Sequence, residues 1–141
     1  MFSKGDKPYR KERAFRSAVG FDPNVVVLAL GTNDSKPQNW RHAGDLAADV
    51  SAIVEAFRTL PGKPVIVVCL PPPVAENAFG ISEARLQEFR PMLTTAAKDR
   101  KLTVIDFNAA LAGQPGLFPD GVHPNAAGAR AIAEAVAKAI R

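Results

Sequence analysis

Three short runs constrain this chain more than anything else in it: Asn24 to Leu30 (NVVVLAL), Val65 to Leu70 (VIVVCL) and Leu102 to Phe107 (LTVIDF). Each is rich in β-branched residues and lacks the strict apolar and polar alternation of a half-solvated strand. Each is bounded by Pro, Gly or polar residues. Strands of this kind must be covered on both faces, which is the condition of a parallel sheet in an α/β protein.

The intervening segments carry the helical period. Leu46, Val50, Ile53, Val54, Phe57 and Leu60 fall on one face of a helix that Pro61-Gly62 ends. Ile81 to Arg100 reads as a helix with Leu86, Phe89, Leu93 and Ala97 inward. Pro91 is expected to kink or divide it, because proline removes a ladder donor and clashes one turn back. Tyr9 to Val19 predicts a first helix. A Gly/Pro-rich loop, Ala112 to Pro124, leads to a last helix capped by Asn125, with Ala129, Ile132, Val136 and Ile140 as its buried stripe. The order α-β-α-β-α-β-α fits a single domain over residues 1–141, with helices on both faces of the sheet and right-handed crossovers. Three strands are few for this class, where about five are usual, so neighbours beside the first strand are expected to be missing.

Composition narrows the function classes. At 47% hydrophobic and 23% charged residues the chain matches a globular domain, not a disordered or collagenous one. No apolar run approaches the roughly 18 residues of a membrane span, so no membrane partner is expected. Met1 to Arg16 is polar throughout, so no secretory signal is read there and the localisation stays open. The net charge of +4 is carried entirely by Lys4, Lys7, Arg10, Lys11, Arg13 and Arg16 against Asp6 and Glu12. A basic end without interleaved aromatics reads as a solvated helix face, and no nucleic-acid partner is expected. The one cysteine, Cys69, lies inside an apolar run and reads as buried and inert.

In open parallel sheets, ligands bind beyond the carboxyl ends of the strands, which directs attention to the loops after Leu30, Leu70 and Phe107. The first is Gly31-Thr32-Asn33-Asp34-Ser35. It holds the Asn33 carboxamide on a rigid support, where its N–H can donate to a developing oxyanion. These residues are also ordinary turn formers. The second rich segment is Phe118-Pro119-Asp120-Gly121-Val122-His123-Pro124. An Asp three residues before a His can bring its carboxylate to one imidazole nitrogen and leave the other facing a cleft, as a general base requires. The same spacing suits a His that pairs near a helix N-terminus. His42, the other histidine, precedes a helix away from any such turn.

In order and context the two loops resemble the SGNH, or GDSL-type, hydrolase family of serine esterases. The third block of that family, Gly-x-Asn-Asp, is matched by Gly31, Thr32, Asn33 and Asp34, and the fifth, Asp-x-x-His-Pro, by Asp120 to Pro124. The longer wording GTNDSKPQNW and LFPDGVHPNAAG looks most like members acting on acetylated carbohydrates, relatives of sialate O-acetylesterase and acetylxylan esterase. The resemblance implies a three-layer α/β/α flavodoxin-like parallel sheet that lacks its first two strands. It implies Asn33 as oxyanion donor, His123 as general base and acid, and Asp120 as the group that orients His123. Gly31 and Asp34 would support the oxyanion loop. The first block, Gly-Asp-Ser, carries the nucleophile in that family and is not here. Of the serines, only Ser35 lies on a cleft loop.

Two functions compete. One is the carboxyl part of an ester hydrolase that takes an acyl ester or acetylated carbohydrate through an acyl-enzyme, its nucleophile coming from elsewhere. The other is a catalytically inactive remnant or carbohydrate-binding module of the same fold, with Trp40 available to stack on a sugar ring or simply to pack. No cofactor is expected. Asp34, Asp120 and His123 could serve a metal, but no paired His or Cys spacing supports one. Nucleotide binding lacks a Gly-rich loop, and Pro71-Pro72-Pro73 removes backbone donors where a phosphate would want them. The uncharged run in strand 24–30 makes self-association through its edge an expectation.

Overall fold

The computed structural model describes residues 1–140. Three parallel strands form the sheet, in the order β1 (Val25–Leu28), β2 (Val65–Leu70) and β3 (Thr103–Asp106). Val25 pairs with Val65 and Val67 with Thr103, so the three carboxyl ends lie together at one end of the sheet. β2 spans the whole run read from the sequence; β1 and β3 are shorter than theirs, with Ala29 and Leu30 leading into the loop after β1 and Phe107 opening the next helix. The helices are α1 (Arg13–Gly20), α2 (Pro37–Trp40), α3 (Leu46–Arg58), α4 (Glu83–Lys98), α5 (Phe107–Leu111) and α6 (Ala126–Ala139).

Two cores divide along the pleat. On one face, Val26, Leu28, Ile66 and Val68 meet Leu46, Val50, Ile53, Val54 and Phe57 of α3 and Phe89 and Leu93 of α4. On the other, Val67, Cys69 and Ile105 meet Phe107 and Leu111 of α5 and the half-buried Ile132 and Val136 of α6. This second layer stops short of β1, whose Val25 and Val27 remain 41% and 40% exposed. Helices thus cover both faces of β2 but only one face of β1.

Three helical expectations are corrected. The predicted first helix, Tyr9 to Val19, is a 3-10 turn (Tyr9–Lys11) and then α1, separated by Glu12 in extended backbone at ψ 152°. Of the two outcomes expected at Pro91, division does not occur: α4 runs unbroken from Glu83 to Lys98. Pro91 and the residue one turn back, Gln87, both face outward, so the carbonyl deprived of its ladder partner is on the solvent side. In α6 the stripe is rotated: Ala129 and Ile140 are exposed, and Gly128, Ala131, Ile132, Ala135 and Val136 face the core. The rotation follows from Gly128, where a Cβ would come within 2.9 Å of Pro124 and 3.1 Å of the Leu117 carbonyl. The absent side chain lets this turn of α6 approach the preceding loop.

Candidate active site

The loop after β1 turns at once. Gly31 has φ +125°, and a Cβ there would overlap the buried ring of Phe89, so neither the backbone nor the space admits a larger residue. Thr32–Ser35 then form a 3-10 turn that exposes the Asn33 side chain and buries Asp34 and Ser35. Asp34 accepts hydrogen bonds from the Met1 amine at 2.9 Å and the Phe2 N–H at 2.6 Å. Asn39 locks the other side, donating to the Asn33 carbonyl and to Asp6 Oδ1, both at 2.9 Å. Ser35 has its hydroxyl on the Thr32 carbonyl at 2.8 Å and accepts from the Ser82 N–H at 3.1 Å. It is fully buried and does not line the cleft.

The loop before α6 is a second tight turn. The Asp120 carboxylate accepts from the backbone N–H of His123 at 2.7 Å and of Val122 at 3.0 Å, and its Oδ2 lies 2.8 Å from His123 Nδ1. Chiefly because of the His123 backbone N–H, then that of Val122 and the imidazole, its carboxyl is held down at about 2. An ionised carboxylate only accepts, so the proton of this bond sits on Nδ1, and a neutral His123 keeps its lone pair on Nε2. That is the tautomer a base needs. Gly121, at φ +81°, lies so close to the Glu76 carbonyl that a Cβ would collide with it, and its own carbonyl accepts from the Ala75 N–H at 2.9 Å. Asn125 closes the turn by capping α6 through the Gly128 N–H at 3.0 Å.

A cleft of about 620 Å³ lies between the two turns, lined by Asn33, Gly31, Thr32, His123, Tyr9, Lys7, Lys36 and Phe79, among others. It therefore brings together Asn33 and His123, whose sequence positions are far apart. Asp34 borders it from below, with its carboxylate turned to residues 1 and 2. Trp40 does not line this cleft. It is half-buried and packs against the larger core. His42 is likewise outside it and pairs with Arg41 Nε at 3.2 Å. Cys69 is buried, and burial pushes its thiol up to about 12. Among the described residues no three His, Cys, Asp or Glu side chains gather closely enough to hold a metal ion, and no helix is long and apolar enough to cross a membrane.

Two groups that shape the site are not visible in the motifs. Arg90 of α4, only 6% exposed, donates to the carbonyls of Pro71 and Pro72 at 2.9 and 2.8 Å and to Glu83 at 2.6 and 3.0 Å. Glu83 in turn accepts from the Val74 N–H at 2.9 Å. Together they fasten the loop after β2 whose Ala75 braces Gly121. Phe79 of the same loop stands against His123 with ring centroids 5.1 Å apart. The sequence signal for Phe79 is its place after β2 beside Asn77 and Gly80, a turn grammar on the ligand end of the sheet.

Residues 4–131 match the model of the GDSL-like lipase/acylhydrolase family. An acetylxylan esterase of Xylanibacter ruminicola is 34% identical over 160 residues, an alignment that takes in 100% of this chain and 33% of that protein. The chain thus spans a third of the length of this relative. Among solved structures, an acetyl xylan esterase superposes at a TM-score of 0.75 with 20% identity over 97% of this chain and 77% of its own. A GDSL-like lipase from Bacteroides thetaiotaomicron gives 0.75 and 20% over 89% and 66%. At these identities the two structures speak for a shared fold.

Proposed function

The chain belongs to the GDSL-like lipase/acylhydrolase family, and on that premise we propose that it is the base-bearing part of a serine ester hydrolase that deacetylates carbohydrates. The observation that carries this is the Asp120–His123 pair at 2.8 Å, opening on the same cleft as Asn33. The substrate class is taken from the acetylxylan esterase relative.

In this mechanism a serine hydroxyl attacks the acetyl carbonyl while His123 Nε2 takes its proton. The negative charge moves to the carbonyl oxygen, and the Asn33 side-chain N–H donates to it. Collapse of the tetrahedral intermediate breaks the bond to the sugar oxygen, which leaves with the proton from His123. Water then attacks the acetyl-enzyme carbonyl, again losing its proton to His123; collapse of this second tetrahedral intermediate breaks the bond to the serine oxygen, which takes the proton back from His123, and acetic acid leaves, ionising to acetate in water. Asp120 stays ionised throughout and stabilises the imidazolium by its charge. Among the described residues no serine lines the cleft, so the proposal places the nucleophile on a segment outside these 141 residues. The same observation favours a second reading, a carbohydrate-binding module that keeps the cleft and does no chemistry.

The test supplies a family-type amino-terminal segment with its Gly-Asp-Ser block, fused or in trans. Esterase activity that requires both that serine and His123 supports the hydrolase. A folded complement with no activity supports the binding module, and activity that survives His123→Ala shows the base to be another residue.

A further inference from the structure

In the proposed reaction His123 returns its proton to the departing alcohol, so the carbons of that alcohol come close to whatever flanks the imidazole in the cleft. The flank is Phe79. Its ring meets that of His123 edge to face, at 5.1 Å between centroids and 89° between planes, and it lines the same cleft.

Phe79 is 44% exposed and lines the cleft, so part of its ring is free to meet a ligand there. Here the loop is built to hold it out. The Asn77 carboxamide alone makes four bonds inside it. Its Oδ1 accepts from the N–H of Phe79 at 3.0 Å and of Ile81 at 3.3 Å, and its Nδ2 donates to the carbonyls of Ala75 at 2.8 Å and Ile81 at 3.1 Å. Gly80 takes φ +72°, which continues the turn. Ile81, two residues on, is buried against Val74, Leu86 and Val122. The loop therefore has a buried apolar anchor of its own, and Phe79 is not that anchor.

We propose that Phe79 is the platform on which the alcohol part of the ester stacks, and that this alcohol is a pyranose ring. The proposal rests on the assignment of His123 as the group that protonates the leaving alcohol. A pyranose carries weakly positive C–H groups on one face and hydroxyls around its edge. The phenyl face is the negative side of the ring quadrupole and attracts the first while leaving the second in water. An acyclic alcohol of the same size has no flat face to match it.

The experiment uses the full chain with Phe79 assigned by NMR, titrated with an O-acetylated xylotriose and, separately, with n-butyl acetate. Saturation of the Phe79 ring protons should transfer to the sugar ring protons. Phe79→Ala should weaken binding of the acetylated xylotriose by roughly tenfold, equivalent to about 1.4 kcal/mol, and Phe79→Trp should restore it. Undetectable binding of the sugar ester, equal binding by the Phe79→Ala variant, transfer from Trp40 instead, or n-butyl acetate binding as well as the sugar ester would each overturn the proposal. The failures are separable: a complemented enzyme whose activity ignores His123→Ala defeats the hydrolase assignment. One that needs His123, beside a Phe79→Ala chain that binds the sugar normally, defeats only the platform.

Discussion

Replacing Arg90 by Met tests whether the loop after β2 is held by the chemistry described for it. The side chain is 8% exposed, and its guanidinium makes four charge-assisted bonds, to Pro71, Pro72 and both oxygens of Glu83. Methionine keeps the length of the stem, so the loss is of hydrogen bonds and charge rather than of packing volume. Removing one member of a buried pair costs about 3–5 kcal/mol, chiefly because the partner is left charged and unpaired. The Glu83 side chain is 30% exposed, so water relieves part of that penalty, and the lower end, about 3 kcal/mol, is expected. For a domain of this size such a loss lowers Tm by roughly 10 °C. Urea unfolding of Arg90→Met, Glu83→Met and the double variant measures it. The double variant should cost less than the two single losses together by at least about 1 kcal/mol, since no carboxylate is then stranded. A single-variant cost below about 1 kcal/mol, or additive costs, would refute the reasoning. Amide exchange at Val74, Ala75 and His123 should also quicken, because Ala75 ties this loop to Gly121.

The remaining expectations concern the two turns and the sheet edge. Asp120 is held down at about 2, below its ordinary value of 3.8, so its contribution to the turn is complete above pH 4 and is lost as the pH falls through about 2. An NMR titration of its carboxyl carbon should show a midpoint near that value, and Asp120→Asn should remove the low-pH change in the His123 amide shift. Gly31→Ala should cost about 2–4 kcal/mol in urea unfolding, from positive φ and overlap with Phe89 together; a cost under about 1 kcal/mol would mean that the ring has room to move. The edge of β1 is expected to self-associate. Light scattering should show growth with concentration that Val27→Lys abolishes, and a wild-type chain that stays monomeric at all concentrations would show the edge to be harmless.

Much of the fold was written locally. Three β-branched runs without strict apolar and polar alternation point to parallel strands between helices, and they appear as the parallel strands β1, β2 and β3, with β1 covered on one face only. The inward face of α3 was legible because its apolar residues recur at one period and the helix has a single side to bury. Local rules also sufficed to anticipate the Asp120–His123 bond, since its two residues lie three apart across a glycine turn, although the loop after β2 braces that turn through Ala75. They failed where a distant partner decided the outcome. The stripe of α6 is rotated by a close approach at Gly128 to Leu117 and Pro124, a contact between loop and helix that no periodicity encodes. Pro91 leaves α4 undivided, with both it and Gln87, one turn back, on the exposed side of the helix. For Trp40 the sequence left open stacking on a sugar or plain packing, and the structure packs it against the larger core, while Phe79 lines the cleft on a loop held by the Asn77 bonds. Hydrophobic period and turn chemistry act over one or two turns of chain and so can be read in order along it. Which aromatic faces the cleft, and which arginine fastens the loop beneath it, depends on residues brought together only when the sheet closes over its helices.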